Sequence, residues 1–398
     1  MFLFKNRLNN DLKKIVKNNS YKNIRVIIHC KTLHEKIESK VKSLGGKIIR
    51  AIPSINCLCA NISPKVIDRL MEYPYIDYIT FDTYGLLCGN SVLSANKVVW
   101  DEKYRLTGKG VCIGLVDSGT YPHPDLLSPK NKILNFLDLI NSCKYPYDDN
   151  GHGTAISGIL CGSGYLSKGT YKGIAENSYI YSIKAFNDLG KAYISDILFS
   201  IHKLIEESEQ FNIKVICLPF EIIENDDFIL SLFSKLFKLA VKKNIIVVVP
   251  AGHNGNGDSS MRGIAILDNC ITVGGLDTTS SDVKPYANSS TGPSSKIDKP
   301  DLSAACVNIQ SLNSNINFVS ERNGIKVYPQ SLENPYTFYT GTSCAAAYIS
   351  GLCALLFENN PTLTFNDILS LFKVSCNLLD IPKPMQGRGT VDLNKLLP

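Results

Sequence analysis

The sequence lacks any long uninterrupted hydrophobic run. No window approaches the roughly 18 consecutive apolar residues that a membrane-spanning helix needs. The N-terminal stretch MFLFKNRLNNDLKKIVKNN carries charges every few positions and has no apolar core of the length found in signal peptides. The sequence therefore predicts a soluble, cytoplasmic protein without a membrane partner.

The usual sequence signatures of metal and cofactor sites are also missing. The 13 cysteines include no Cys-x-x-Cys pair, and no His-Glu-x-x-His motif or Asp-rich calcium loop occurs. No Gly-x-Gly-x-x-Gly follows a strand, so a dinucleotide is not expected. Cys112, Cys217 and Cys353 lie inside apolar runs, which favours small core residues in a reducing compartment over disulfides or zinc ligands. We expect neither a metal nor a cofactor.

Charge is unevenly distributed along the chain. The net charge is only +6, yet residues 1–50 contain 13 Lys and Arg against 3 Asp and Glu. No recognisable module interleaves aromatic with basic residues, so a nucleic-acid partner is not expected. The basic region is either a solvated surface or a segment that docks on the mildly acidic remainder of the chain.

The N-terminal region has the pattern of a small α+β domain. After a basic extension (1–21), residues 22–82 alternate as β-α-β-β-α-β, the split arrangement of ferredoxin-like units. The predicted strands are 24–29, 46–52, 56–62 and 75–81, and the predicted helices are 33–44 and 63–73. Residues 83–98 form a loosely patterned linker.

A different pattern begins at Gly108. Apolar runs such as VCIGLVD, KVICLPF and NIIVVVP alternate with amphipathic segments at 194–208, 227–243 and 344–357. This alternation predicts an α/β domain with a mainly parallel sheet covered by helices on both faces. In such sheets, functional groups lie at the carboxyl ends of the strands.

Three residues of this region could form a catalytic set. Asp117 follows an apolar strand, His152 lies between two glycines before a helix, and Ser343 lies in the first turn of an apolar helix. Taken singly, each has an ordinary role as a turn, helix-start or N-cap residue. Together they supply a nucleophile, its base and the carboxylate that orients the base.

The order of these residues excludes one class of hydrolase. An α/β-hydrolase needs its histidine after the nucleophile, but all six histidines precede Ser343. The segment Gly-Thr-Ser-Cys-Ala also lacks the last glycine of the G-x-S-x-G motif.

The motifs VDSGTYPHPDL, DDNGHGTA, KPDLSA and TGTSCAA, in this order, resemble those of the subtilisin-like serine proteases, the subtilases. Within that family the chain is most similar to the intracellular AprX-like alkaline proteases. The resemblance implies a three-layer α/β/α subtilisin-like domain over 99–398 and an acyl-transfer mechanism in which Asp117, His152 and Ser343 are the triad. It also implies that the unit over 22–82 is an inhibitor-like propeptide, and that 83–98 holds the maturation site.

The chain departs from the family at the corner after one strand. The family pattern Ala-Ala-Gly-Asn-x-Gly places an asparagine amide in the oxyanion site, and His253 occupies that position here, with Asn254 next to it. A neutral imidazole has one N–H donor, so His253 could replace the asparagine. The alternatives are a one-residue slip that presents Asn254, and a histidine that only caps the loop.

A second departure lies in the substrate cleft implied by the resemblance. Pro219, Phe220 and Glu221 stand where the family has the Ser-Leu-Gly edge that pairs with extended substrate. Proline removes a backbone donor, and a Glu221 side chain either selects basic residues before the cleaved bond or plugs the pocket. The sequence therefore predicts an autoprocessed endopeptidase acting on polypeptides, and a catalytically weak regulatory pseudoprotease is the alternative.

Overall fold

The structure is a computed structural model that describes residues 7–19, 21–31, 34–52, 56–82, 91–98, 105–222, 227–293 and 298–397. The chain divides into two compact units, Met1–Leu86 and Leu87–Pro398. None of the helices in these described ranges is long and apolar enough to cross a membrane.

The N-terminal unit is built on one antiparallel sheet with the strand order β2-β3-β1-β4. Its elements are α1 (Asn10–Asn18), β1 (Ile24–Cys30), α2 (His34–Ser43), β2 (Lys47–Ile52), β3 (Cys57–Ile62), α3 (Pro64–Met71) and β4 (Ile76–Phe81). After α1, the order is the predicted β-α-β-β-α-β. Alternate residues of β1 are buried because one face of the strand packs against the helices; they are Ile24, Val26, Ile28 and Cys30.

The C-terminal unit contains the remaining strands and helices. Its strands are β5 (Cys112–Asp117), β6 (Ile133–Asp138), β7 (Tyr179–Lys184), β8 (Ile213–Cys217), β9 (Ile246–Pro250), β10 (Ile271–Asp277), β11 (Lys284–Pro285), β12 (Leu302–Ala305), β13 (Ile309–Leu312), β14 (Glu321–Arg322), β15 (Ile325–Lys326), β16 (Tyr336–Tyr339), β17 (Cys376–Asn377) and β18 (Thr390–Val391). Its helices are α4 (Val92–Ala95), α5 (Pro124–Leu127), α6 (His152–Cys161), α7 (Ile194–Glu206), α8 (Ser208–Phe211), α9 (Asp227–Lys242), α10 (Thr342–Asn359), α11 (Phe365–Ser375), α12 (Lys383–Gln386) and α13 (Leu393–Leu396), with a 3₁₀ turn at Gly263–Ile266.

The main sheet of this unit is almost entirely parallel. Its strand order is β11-β10-β9-β8-β5-β7-β6, and β12 also pairs with β10. Every pairing is parallel except that of β10 with β11. The carboxyl ends of β5, β8 and β9 therefore meet at one edge of the sheet.

Apolar side chains of each central strand point alternately to the two faces of the sheet. On β5, Ile113 and Leu115 join the core that packs against α6 and α10, whereas Cys112 and Val116 join the core beneath α7 and α9. A strand that is buried on both faces needs the continuous apolar run seen in the sequence. The predicted three-layer α/β/α fold, preceded by a small α+β unit, is confirmed.

Residues 91–98 belong to the packed core of the C-terminal unit, although the sequence pattern placed them in a linker. Val92 is 2% exposed and Val98 is 8% exposed in the same core cluster as α10. The Asn96 side chain accepts a hydrogen bond from the Ala305 amide at 3.0 Å. Residues 83–90, the rest of the predicted linker, lie outside the described residues.

Cys112, Cys217 and Cys353 are free thiols. Cys112, Cys217 and Cys353 are fully or almost fully buried, so the prediction that they fill the core is confirmed.

Candidate active site

Asp117 is the last residue of β5, and its side chain is almost completely buried. Its carboxylate accepts the amide of Ser118 at 2.6 Å. Gly119 then turns the chain with a φ of +116°, and a Cβ there would clash with the carbonyl of Tyr147. Glycine is required at this turn because both the backbone angle and the close approach exclude a side chain.

His152 is the first residue of α6, and Asp148 holds this helix end in place. One oxygen of the buried Asp148 carboxylate accepts the Ser118 hydroxyl and the amides of Asn150 and Gly151 at 2.8–3.1 Å. The other accepts the amide and the hydroxyl of Thr154 at 2.8 and 2.6 Å. A carboxylate suits this place because the first amides of a helix lack intrahelical acceptors and carry partial positive charge.

Sequence reasoning missed Asp148 as a site-building residue. The available signal was an aspartate within a few residues of a predicted helix start, with a threonine inside the first turn that could share it.

Ser343 is the second residue of α10, so its own N–H has no acceptor within the helix. The Gly341 amide donates to the Cys306 carbonyl at 2.9 Å, and the Thr342 hydroxyl donates to the Gly252 carbonyl at 3.3 Å. These contacts attach the start of α10 to the ends of β12 and β9.

The structure brings Asp117, His152 and Ser343 together. The Nδ1 atom of His152 lies 2.9 Å from each carboxylate oxygen of Asp117, and its Nε2 atom lies 3.1 Å from the Ser343 hydroxyl oxygen. The carboxylate therefore favours the tautomer with the proton on Nδ1, which leaves Nε2 free to accept the serine proton.

Electrostatics favour the charged form of His152. Burial opposes a charge on the imidazole, but the charge of Asp117, its hydrogen bond and the charge of Asp148 outweigh burial and raise the pKa of His152 above its ordinary value. The imidazole remains 37% exposed, so substrate can reach it. The group that would take up the serine proton is thus stabilised in its protonated form.

Pro219 and Phe220 lie in the same cleft as His152. A cavity of about 270 Å³ is lined by Asp117, Ser118, Asn150, His152, Phe186, Gly190, Pro219 and Phe220. The rings of Phe186 and Phe220 are 4.8 Å apart and form one wall. An adjoining groove of about 750 Å³ shares Phe186 and Gly190 and extends to Glu221 and Ile222.

Glu221 reaches the corner that follows β9. Its carboxylate accepts the backbone amide of His253 at 3.0 Å and the side-chain amide of Asn254. Asn254 also donates to the Ser290 hydroxyl from its backbone and side-chain nitrogens, at 2.9 and 3.2 Å. The side chain of Asn254 is thus already engaged inside the corner.

The His253 side chain is exposed at the same corner. Its ring lies against Tyr286 with the ring centroids 5.7 Å apart. Within the described ranges, no hydrogen bond to an imidazole nitrogen of His253 is present, which leaves an N–H donor for a ligand. No group of three or more His, Cys, Asp or Glu residues in those ranges is arranged to hold a metal ion.

Comparison with known proteins gives consistent matches. The family model "Subtilase family" matches residues 108–389. The chain is 31% identical to "Serine protease AprX" of Bacillus subtilis over 381 residues, which cover 92% of this chain and 83% of that protein. It is 26% identical to "Subtilisin DY" of Bacillus licheniformis over 313 residues, which cover 77% of this chain and 96% of that protein.

Solved structures show the same fold at lower identity. The structure titled "S41 Psychrophilic Protease" superposes with a TM-score of 0.60 at 21% identity, covering 76% of this chain and 97% of that one. "Sphericase" superposes with a TM-score of 0.57 at 22% identity, covering 72% of this chain and 89% of that one.

Proposed function

Because the chain belongs to the subtilase family and is a serine endopeptidase by that membership, we propose that Asp117, His152 and Ser343 are its catalytic triad. The observation that carries this proposal is the continuous path of contacts from the Asp117 carboxylate through both imidazole nitrogens to the Ser343 hydroxyl. The substrates are polypeptides.

The reaction proceeds by acyl transfer. The Ser343 oxygen attacks the peptide carbonyl carbon while His152 Nε2 takes the serine proton, and Asp117 stabilises the imidazolium that forms. His152 then passes that proton to the leaving amine, so the peptide bond breaks and an acyl ester of Ser343 remains. Water attacks this ester with His152 again as the base, and release of the carboxylate product restores the free hydroxyl.

The oxyanion formed in each attack needs donors close to Ser343. We assign the Ser343 N–H, at the positive end of α10, and the imidazole N–H of His253. Asn254 is the less suitable side chain because its amide donates to Glu221 and Ser290.

The N-terminal unit is assigned as an intramolecular inhibitor and folding aid that the enzyme itself removes. Its compact antiparallel sheet and separate core support this role. Since residues 91–98 pack in the core of the C-terminal unit, we place the maturation cut before Ser91, in the segment 83–90.

A fluorophosphonate probe tests the assignment of Ser343. The full chain should be labelled, and Ser343→Ala should abolish labelling because, among the residues that the structure describes, only the Ser343 hydroxyl lies within hydrogen-bonding distance of His152 Nε2. Ser231→Ala is the matched control, because the Ser231 hydroxyl donates to the Phe228 carbonyl in α9 on the opposite face of the sheet. Absence of labelling after removal of the N-terminal unit would instead favour the regulatory pseudoprotease.

A further inference from the structure

The Glu221 side chain joins the ends of two neighbouring strands. β8 and β9 are adjacent and parallel, so the chain leaves both at the same edge of the sheet. Glu221 lies four residues after β8. Its carboxylate accepts hydrogen bonds from the His253 backbone amide and the Asn254 side-chain amide, both of which lie just beyond β9. A charged side chain therefore spans the gap between these two strand ends.

Glu221 and Ser290 leave no room for a side chain on Gly252. A Cβ added to Gly252 would lie 2.9 Å from a carboxylate oxygen of Glu221 and 2.9 Å from the Ser290 hydroxyl oxygen. A Cβ does not approach other heavy atoms this closely without strain, so the Glu221 carboxylate and the Ser290 hydroxyl occupy the space where a side chain of residue 252 would lie. Ser290 is fully buried behind it and cannot move aside easily.

This filled gap lies beside the nucleophile. The Gly252 carbonyl accepts the hydroxyl of Thr342, the residue before Ser343. In the proposed reaction, the scissile carbonyl oxygen points to the Ser343 N–H and to His253. The residue that contributes this carbonyl carries its side chain on the Cα bonded to the reacting carbon, and in the arrangement proposed below that side chain lies against Gly252 and Glu221.

We propose that Glu221 is a specificity-determining residue, which restricts the residue contributing the scissile carbonyl to Gly, Ala or Ser. This inference rests on the proposed function and specifies its substrate class. Larger apolar side chains would collide with the carboxylate. A basic side chain gains little, because the carboxylate is already bound to two donors of the corner and would have to release them.

The test uses the full chain and peptides that differ only at the residue contributing the scissile carbonyl. Peptides with Ala, Phe and Arg at that position are compared by kcat/KM. We expect the Ala peptide to exceed the other two by at least about tenfold, the discrimination typical of steric fit in a pocket. Glu221→Gly should raise kcat/KM for the Phe peptide by a similar factor, because the gap opens.

Glu221→Gln separates size from charge. It preserves the volume of the side chain, so the preference for Ala over Phe and Arg should persist. The fluorophosphonate carries no side chain at the reacting atom, so labelling shows that the active site is assembled whatever the size of the gap. If Glu221→Gly is not labelled, Glu221→Ser is used in its place.

Two kinetic results would overturn the inference while leaving the proposed function intact. One is a labelled enzyme that cleaves the three peptides at similar rates. The other is a preference for Arg that Glu221→Gln removes, which would make Glu221 a charge selector. Absence of labelling in the wild-type protein after removal of its N-terminal unit would overturn the proposed function and this inference together.

Discussion

At the scale of single residues, the proposed role of His152 as the base makes its protonation state the acid limit of the reaction. The imidazole accepts the serine proton only in its neutral form, and its pKa is raised by Asp117 and Asp148 in spite of burial. We therefore expect kcat/KM to fall as the pH is lowered, with a midpoint above the ordinary histidine value of about 6.5.

Asp117→Asn gives the corresponding mutational prediction. Removal of the carboxylate charge should lower the pKa of His152 and favour the wrong tautomer, so kcat should fall by about 10⁴. The pH profile of kcat/KM measures both effects. The exposed Asp188→Asn is the control, and an unchanged acid limb in Asp117→Asn would contradict this account of the pKa.

His253 allows a second prediction at this scale. His253→Phe keeps a ring against Tyr286 but removes the donor, and should lower kcat by about 10²–10³ with little change in KM. His253→Asn keeps a donor and should retain activity. Steady-state kinetics on one peptide decide the matter, since equal kcat values for the Phe variant and the wild type would assign His253 to loop structure only.

At the scale of secondary-structure elements, the start of α6 depends on Asp148. Asp148→Asn would place an amide NH₂ against groups that donate hydrogen bonds, such as the amide and hydroxyl of Thr154. We expect the free energy of unfolding to fall by about 3 kcal/mol, because buried donors lose a charged acceptor.

Thermal or denaturant unfolding of the Ser343→Ala background measures this loss without self-digestion. The same substitution should lower kcat, because α6 carries His152 at its first position. Asp188→Asn again serves as the control and should change stability by less than about 0.5 kcal/mol. If Asp148→Asn unfolds at the same temperature or denaturant concentration as the protein that keeps Asp148, α6 does not need this carboxylate.

At the scale of the whole molecule, the proposed self-processing can be tested directly. The wild-type chain should lose its N-terminal unit during purification, whereas Ser343→Ala should remain at 43.9 kDa. Intact-mass spectrometry should place the new N-terminus at or before Ser91, because a later cut removes Val92 from the core.

Two further measurements at this scale complete that prediction. A chain beginning at Ser91 should cleave peptides faster than the uncleaved chain if the N-terminal unit inhibits. Stable mature protein that starts after Ser91, or equal rates for the two chains, would contradict the proposed boundary or the proposed inhibition.

The local patterns of the sequence were enough to predict most of the architecture. The apolar runs at 112–117 and 246–250 became central strands because a strand buried on both faces needs such a run. The predicted helix at 344–357 is observed at 342–359, since helix ends are the least specified part of the pattern. The order Asp117, His152 and Ser343 suggested the three side chains that the structure brings together.

Other features depend on partners that are distant in the chain. The linker prediction for 91–98 did not include the packing of Val92 and Val98, because a short helix has too few residues to show a periodic pattern. The contacts of Glu221 with the corner at 253–254 exist because β8 and β9 are adjacent in the sheet.

By itself, the sequence determined the two-unit α/β architecture and the candidate nucleophile, base and carboxylate, because hydrophobic periodicity and residue order are local properties of the chain. Only the tertiary structure decided that Asp148 holds α6 and that Glu221 fills the gap beside Gly252. Which hydrogen-bond donors surround each carboxylate depends on which strand ends and helix ends meet in space.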